Sequence, residues 1–224
     1  MLKMVLASGN KNKYREMRSV LQETGIDLLF GGDFNMPVEV EETGDTYEEN
    51  SYIKAKAWMD FTGCAAIADD SGIEVDALGC VPGVHSARIV PGSDADRTNW
   101  LLAQMAGKED RTARFVACLV AVFPEIDKPI VCQKNCEGKL AFTPAGSSGF
   151  GYDPIFIPNG YDKTFSELGD EIKQKISHRA LALKGIAEML LPVVQSIAVR
   201  KDENVLCASD DCRRADSESK HWEE

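Results

Sequence analysis

The stretch Lys3-Met4-Val5-Leu6-Ala7-Ser8-Gly9-Asn10-Lys11-Asn12-Lys13 joins a short apolar run to a small turn that carries two lysines. A segment with helical spacing follows, residues 13–24, and Gly25 comes after it as a C-terminal cap. This order predicts a strand, a turn and a helix N-terminus, where free N–H groups and the helix dipole attract a phosphate. An ordinary strand-to-helix turn has the same pattern. A P-loop is excluded, because no second glycine is followed by Lys and Ser or Thr.

The composition limits the kind of ligand. The 224-residue chain carries a formal net charge of −11 at pH 7, with 44% hydrophobic and 27% charged residues. These values are typical of a globular protein with one large α/β domain or two small lobes that share a cleft. A nucleic-acid polymer needs a basic face, which an acidic chain does not offer, whereas a few placed cations suffice for a small anion. We therefore expect a small anionic ligand and no nucleic-acid polymer.

Cysteine content and hydropathy predict the compartment. Seven cysteines occur in a chain whose N-terminus shows no apolar leader and in which we find no apolar stretch long enough to span a bilayer. An odd number of cysteines in such a chain predicts free thiols. The cysteine spacings and the three histidines do not indicate a structural zinc site. We expect a cytoplasmic protein without membrane contact.

Strands and helices are interleaved, but they do not alternate strictly. The predicted strands are 3–7, 26–30, 65–68, 113–123, 129–136 and 154–157, with 113–123 and 129–136 as an antiparallel pair. The predicted helices are 13–24, 47–61, one that begins after Ser93 and one that begins after Ser177. This order favours α/β architecture with a mixed sheet over a doubly wound parallel sheet. We predict one domain over 1–197 and a mobile polar tail over 198–224.

Two acidic segments are candidate metal sites. Asp69-Asp70-Ser71-Gly72 follow the predicted strand 65–68, and adjacent carboxylates there need a cation such as Mg²⁺, which takes oxygen ligands. One carboxylate can instead take a proton from water during a hydrolysis. A turn in which Asp and Gly bond only to the local backbone has the same pattern. Glu41-Glu42 is typical of a solvated surface, or it supplies further oxygen ligands to the same metal.

A glycine-rich loop and a basic segment offer a second end of a site. The loop Gly146–Asp153 allows a ligand to approach the backbone, and Phe150 or Tyr152 can stack on a flat base. Such aromatic side chains are also common in a core. Lys173, His178 and Arg179 add positive charge near a helix start, where the dipole disfavours it unless an anion is present.

Together these segments supply a phosphate cradle, metal carboxylates, a base platform and anion-binding cations, which a nucleoside triphosphate site requires. The segments that carry the pattern occur in order from Met1 to about Leu191. They are Ser8-Gly9-Asn10 with Lys13, Glu42-Thr43-Gly44 with Glu49-Asn50, Ala68-Asp69-Asp70-Ser71-Gly72, Pro82-Gly83-Val84-His85-Ser86-Ala87-Arg88, Gly149-Phe150-Gly151-Tyr152-Asp153-Pro154-Ile155-Phe156, and Ser177-His178-Arg179. As an ordered set, they resemble the inosine triphosphate pyrophosphatase family of non-standard purine nucleotide hydrolases.

The resemblance implies a mixed, curved central sheet with flanking helices, two lobes around a cleft, and a homodimer. It implies Mg²⁺-dependent hydrolysis of ITP, dITP and XTP to the monophosphate and pyrophosphate. Asp70 would be the catalytic carboxylate and a metal ligand, with Glu41 as its acidic partner, although Glu42 and Asp69 stay open for that role. The implied substrate-binding residues are Ser8, Gly9, Asn10, Lys11, Asn12 and Lys13 for the triphosphate, Ser71, and Phe150, Gly151, Tyr152, Asp153, Lys173, His178 and Arg179 for the base and nearby phosphate.

Two other functions are consistent with the same residues. One is a pyrophosphatase for other modified nucleotides, such as methylated pyrimidines. The other is a nucleotide-binding sensor without turnover, against which the presence of Asp70 and Lys13 speaks. Release of pyrophosphate from ITP in the presence of Mg²⁺ distinguishes the enzyme from the sensor.

Overall fold

The computed structural model describes residues 1–34 and 40–218. Its strands are β1 Leu2–Leu6, β2 Ile26–Phe30, β3 Ala65–Val75, β4 Thr112–Phe123, β5 Ile126–Leu140 and β6 Phe156–Pro158. Its α-helices are α1 Lys11–Leu21, α2 Tyr47–Thr62, α3 Asp94–Gln104, α4 Phe165–Ile176 and α5 His178–Glu218. Residues 219–224, the end of the predicted tail, lie outside the described residues.

The strands form one sheet in the order β2-β1-β3-β4-β5-β6. β1 is parallel to both β2 and β3, whereas the pairs β3–β4, β4–β5 and β5–β6 are antiparallel. The parallel half comprises β1, β2 and β3, and the Ser8–Lys13 turn directly follows its first strand. The predicted mixed sheet with flanking helices is confirmed, and so is the antiparallel pairing of the two long strands.

The hydrophobic core has three parts around this sheet. On one face, alternate residues of β1, β3 and β4 pack against α1 and α5, and on the other face the intervening residues pack against α2. A third cluster joins the far ends of β3, β4 and β5 to α3 and α4. The long strands thus carry a separate core at each end, as the two predicted lobes require.

The register of β3 leaves an open edge between these cores. β1 pairs with β3 only from Ala65 to Ile67, whereas β4 pairs with it from Ala66 to Val75. In the described chain, the other edge of β3 has no strand partner after Ile67 until Glu74 bridges to Pro82. Asp69–Gly72 lie on this open edge. The expectation that they follow the end of a strand is therefore wrong, because their pairing with β4 continues the strand to Val75.

Side-chain caps begin the helices where the sequence analysis expects them. Thr46 and Ser93 each form a capping box, with Glu49 and Asp96 respectively. Ser177 Oγ accepts a hydrogen bond from the Ala180 N–H at 3.2 Å, at the start of α5. The sequence analysis missed α4, whose helical pattern is interrupted at Gly169, where φ is 77°.

One helical stretch, Phe165–Val199, is long and apolar enough to cross a membrane by length and composition alone. The expectation that no apolar stretch is long enough to span a bilayer is therefore wrong as far as length and composition go. Ala182, Ile186 and Leu190 in this stretch are fully buried against the sheet. This packing accounts for part of its apolar composition, since a third of the apolar window is buried.

The polar C-terminal segment continues α5, which is helical as far as Glu218. The division between a domain that ends at 197 and a mobile tail stays a prediction. Cys64, Cys80, Cys118, Cys132 and Cys136 are free thiols, as expected.

Truncation tests where the folded domain ends. Ile197 is the last residue of the core cluster on the α5 face, so a chain that stops after Val199 should unfold in urea with an unchanged free energy of unfolding. A chain that stops after Met189 lacks Leu190, Val194 and Ile197, and removal of a single buried Leu or Ile side chain typically costs about 2–5 kcal/mol. Equal stability of the two truncated chains would contradict this boundary.

Candidate active site

Asp69 and Asp70 point to opposite faces of β3, because successive side chains of a strand alternate. Ala65 and Ile67, on the same side as Asp69, pack in the cluster with α1 and α5. Ala66 and Ala68, on the same side as Asp70, pack in the cluster with α2. The two carboxylates therefore meet different helices, and the open edge of β3 connects the two faces.

Asp69 is almost completely buried and holds two cations. Its Oδ1 accepts from Lys13 Nζ at 2.9 Å, and its Oδ2 accepts from Arg179 Nε at 3.4 Å. Arg179 also donates to Ser71 Oγ at 3.3 Å. Burial alone would raise the pKa of Asp69, but Lys13 and Arg179 outweigh it and hold that pKa well below its usual value. Asp69 thus joins the turn after β1 to the start of α5.

Asp70 faces two polar residues of α2, Asn50 and Lys54, which lie one helical turn apart. Asn50 Nδ2 donates to Asp70 Oδ2 at 3.2 Å, and Lys54 Nζ lies 3.7 Å from Asp70 Oδ1. Lys54 Nζ also donates to Glu42 Oε1 at 2.6 Å and to the Asp69 carbonyl oxygen at 2.9 Å. Arg88 donates to the other Glu42 oxygen at 2.7 Å. Glu42, Lys54 and Asp70 therefore form a second charged cluster on the α2 face.

The two carboxylates of this second cluster have opposite pKa shifts. Burial raises the pKa of Asp70, and the nearby Glu42 raises it further, although Lys54 opposes both effects. Burial also tends to raise the pKa of Glu42, but Lys54 and Arg88 together lower it below its usual value. A carboxylate with a raised pKa is the stronger base of the two. Asp70 is therefore the better proton acceptor.

The turn after β1 differs in one respect from the expected phosphate cradle. Asn10 caps α1, and its Oδ1 accepts from the N–H groups of Asn12 and Lys13 at 2.9 and 3.2 Å. These two N–H groups are not free, because an Asn at the N-cap bonds to the first turn of its own helix. The turn offers the Lys13 ammonium and the exposed Lys11, Gly9 and Asn12 instead.

A cavity of about 300 Å³ lies beside this turn. Ser8, Gly9 and Lys54 form part of its wall, and Trp58 of α2 forms another part. The remaining lining residues are Ala7, Gly31, Gly32, Phe34 and Val40. A Cβ atom at Gly31 would lie 2.4 Å from the Leu6 carbonyl oxygen, so a larger residue there would clash with the end of β1.

The glycine-rich loop presents one of its two aromatic rings to solvent. The Phe150 side chain is 52% exposed, and Lys173 Nζ and Arg179 Cζ lie 4.0 and 5.6 Å from its ring centroid. Asp153 accepts from the Phe150 N–H at 2.9 Å and forms an ion pair with Lys173. Phe150 is thus held next to the Arg179 that Asp69 binds.

Tyr152 is not available as a base platform. Its ring is buried in the third core cluster, and its hydroxyl donates to the Ser86 carbonyl oxygen at 2.8 Å. The neighbouring Gly151 is held by α3, since its N–H donates to Asp94 Oδ2 at 2.7 Å and its carbonyl accepts from Thr98 Oγ1 at 3.3 Å. Of the two candidate aromatic residues, Phe150 alone can stack on a base.

His178 is buried and stacks on Phe115, with ring centroids 4.7 Å apart and an interplanar angle of 12°. Burial, helped by the nearby Arg179 and Lys173, holds the pKa of His178 well below its usual value. His178 is therefore a neutral imidazole near pH 7, and the expectation that it adds positive charge is wrong. Its Nδ1 has no hydrogen-bond partner in the described part of the chain.

Six of the predicted site residues belong to one set that is connected through Asp69. Contacts through Asp69 and Arg179 link Lys13, Ser71 and Phe150, and Phe150 in turn contacts Lys173 and Asp153. Glu41 is exposed, and no described contact joins it to Asp70. The sequence analysis missed the role of Lys54. The sequence feature that could have revealed this role is a polar pair, Asn50 and Lys54, spaced by four residues on the buried face of a predicted helix.

Possible metal ligands are few. Within the described residues, no group of three or more His, Cys, Asp or Glu side chains is arranged to hold a metal ion. Asp70 and Glu42 each place a carboxylate oxygen against Lys54 Nζ, and these oxygens suit a hard cation that keeps water or substrate oxygens as its other ligands. The donor chemistry therefore fits Mg²⁺, and Lys54 connects Glu42 to Asp70, whereas no described contact connects the predicted Glu41 to Asp70.

Comparison with known proteins finds relatives over most of the chain. A model of the Ham1 family matches residues 4–189. A protein of Symbiobacterium thermophilum named dITP/XTP pyrophosphatase is 50% identical over 190 residues, which cover 84% of this chain and 94% of that protein. A solved HAM1 protein of Coxiella burnetii has a TM-score of 0.80 and 38% identity, with coverage of 85% of this chain and 98% of that chain.

A solved dITP/XTP pyrophosphatase of Mycobacterium abscessus has a TM-score of 0.71 and 42% identity, with coverage of 84% of this chain and all of that chain. The resemblance drawn from the ordered motifs is thereby confirmed. The mixed sheet, the charged residues at the open edge of β3 and these matches lead to one conclusion: the chain belongs to the Ham1 family.

Proposed function

We propose that this protein hydrolyses the deaminated purine nucleoside triphosphates ITP, dITP and XTP to the monophosphate and pyrophosphate, and so removes them from the nucleotide pool. The observation that carries the proposal is the buried Asp69, which joins Lys13 at one end of the site to Arg179 and Phe150 at the other. A nucleoside triphosphate needs both ends, because its phosphates would bind at the first and its planar base at the second. The names of the relatives support the same substrates.

The phosphate end lies at the turn after β1. Lys13 and Lys54 approach it from the two faces of β3, and the cavity lined by Ser8, Gly9 and Lys54 gives room for phosphate groups. Ser8, Gly9, Asn10, Lys11 and Asn12 remain proposed phosphate contacts. Two amines that face one polyanion stabilise both the bound substrate and the charge that grows on the departing pyrophosphate.

The base end lies at the Phe150 loop and the start of α5. We propose that Phe150 stacks on the purine, and that Arg179, the neutral His178 and the loop backbone donate hydrogen bonds to the oxygen at position six. The unpaired Nδ1 of His178 supports this role, because a buried polar atom without a partner is costly until a ligand supplies one. Lys173, Asp153 and the backbone of Gly151 and Tyr152 hold the loop in place.

We propose that Mg²⁺ binds between Asp70 and Glu42, and that Glu42 replaces Glu41 in the predicted pair. When bound, the metal would neutralise charge on the phosphates and on the departing pyrophosphate. Asp70 positions a water molecule and takes its proton as the water attacks the α-phosphorus. Asn50 holds the second oxygen of Asp70 and so fixes the carboxylate for this step. We further propose that the protein is a cytoplasmic homodimer.

The substitution Asp70→Asn tests the proposed base. The amide is nearly isosteric, so substrate should still bind, whereas turnover should fall by about 10²–10⁴-fold, the usual contribution of general base catalysis. Pyrophosphate release gives kcat, and equilibrium binding of ITP gives Kd. Asp76→Asn is the control, since Asp76 pairs with Arg114 on β4, at the far end of the strands. Unchanged turnover in Asp70→Asn would contradict the assignment.

The substitution Lys13→Ala tests the phosphate end. Because the ammonium contacts bound phosphate and the leaving group alike, KM should rise and kcat should fall together. The control is Lys175→Ala, which removes an exposed lysine that pairs with Glu171 on the surface of α4. A variant that loses thermal stability and keeps its kinetic constants would show that Lys13 only neutralises Asp69.

The choice of base tests the other end. Adenine carries an amino group where hypoxanthine and xanthine carry an oxygen, so buried donors would be left unpaired when adenine binds. Guanine shares that oxygen but adds a 2-amino group, which the pocket must exclude by shape or by unmet hydrogen bonding, and such polar mismatches discriminate strongly. We expect kcat/KM for ITP and XTP to exceed that for ATP and GTP by at least about 100-fold, with ribose and deoxyribose forms both accepted. Comparable kcat/KM for ATP and ITP would refute the proposed pocket.

A further inference from the structure

Lys54 stands among oxygen atoms that belong to two different carboxylates. Its Nζ lies 2.6 Å from Glu42 Oε1, 3.7 Å from Asp70 Oδ1 and 2.9 Å from the Asp69 carbonyl oxygen. Its side chain is only 15% exposed. The ammonium is therefore the shared counter-ion of Glu42 and Asp70, and it occupies a position surrounded by oxygen.

A hard divalent cation would use the same kind of oxygen atoms. It cannot share them with an ammonium at no cost, because the two positive charges would repel each other at short range. We propose that Lys54 is the resident cation of Glu42 and Asp70 when no nucleotide is bound, and that it must leave this position before a divalent cation binds there. Lys54 thus keeps the metal affinity of the nucleotide-free protein low. The inference rests on the proposed metal role of Glu42 and Asp70.

The carboxylates need a cation at all times, which explains why a lysine occupies this place. Without one, the two carboxylates that Lys54 contacts would repel each other at short range. Lys54 also lines the cavity beside Ser8 and Gly9. Phosphate groups in that cavity would give the displaced ammonium a new partner, so nucleotide and metal should bind with positive coupling.

Metal binding in the absence of nucleotide tests whether Lys54 and a divalent cation compete for Glu42 and Asp70. Mn²⁺ binding is measured by electron paramagnetic resonance for the wild type, Lys54→Met and Lys56→Met. Lys56 lies on the same helix but is exposed and pairs with Asp60, so its loss should leave the affinity unchanged. Loss of the resident charge in Lys54→Met should tighten Mn²⁺ binding by at least about tenfold. Equal affinity in all three proteins would overturn the inference.

A second measurement avoids dependence on the folding of Lys54→Met. In the wild type, reductive methylation of Lys54 is quantified by mass spectrometry relative to Lys56, with and without saturating Mg²⁺. Displacement by the metal should increase Lys54 modification, and an unchanged ratio would overturn the inference. Neither experiment depends on turnover. Failure to hydrolyse ITP would therefore count against the proposed function, and the Mn²⁺ binding and methylation results would still test the role of Lys54.

Discussion

The buried carboxylate of Asp69, held between Lys13 and Arg179, is the interaction on which the site depends. A charge this deeply buried is tolerated only when it is paired, and removal of one partner of such a pair typically costs about 3–5 kcal/mol. The pairing ties β3 to the start of α1 and to the start of α5. Those two helix starts are the proposed phosphate end and the proposed base end, so one ion-pair network fixes their separation.

The mixed topology of the sheet makes both faces of β3 available to one ligand. Because β1 stops pairing at Ile67 while β4 continues to Val75, Asp69 and Asp70 lie at an edge rather than inside a closed sheet. Alternation then directs Asp69 towards α1 and α5 and Asp70 towards α2. Asp69, with the cations Lys13 and Arg179 proposed to bind substrate, therefore lies on the opposite face of β3 from Asp70, the proposed base. A ligand along the open edge can reach both.

Local patterns predicted much of this arrangement. The turn after β1, the capping box at Thr46 and the paired long strands depend on residues that are close in sequence, and the ordered motifs located nearly the whole charged site. The continuation of β3 beyond Ala68 could not be inferred, since polar residues interrupt its apolar pattern and pairing with β4 provides the compensation. Burial of Tyr152 and neutrality of His178 arise from packing between distant segments. Lys54 was missed because its partners are brought together only by the fold.

Hydrolysis of ITP in ¹⁸O-enriched water tests most directly whether this site directs water to the α-phosphorus. In the proposed reaction, Asp70 directs water to the α-phosphorus and Lys13 and Lys54 stabilise the pyrophosphate as it departs as one unit. Mass spectrometry should therefore find one ¹⁸O atom in the inosine monophosphate and none in the pyrophosphate. Label in the pyrophosphate with unlabelled monophosphate would place the attack on the β-phosphorus. Release of inorganic phosphate and inosine diphosphate would contradict the proposed reaction altogether.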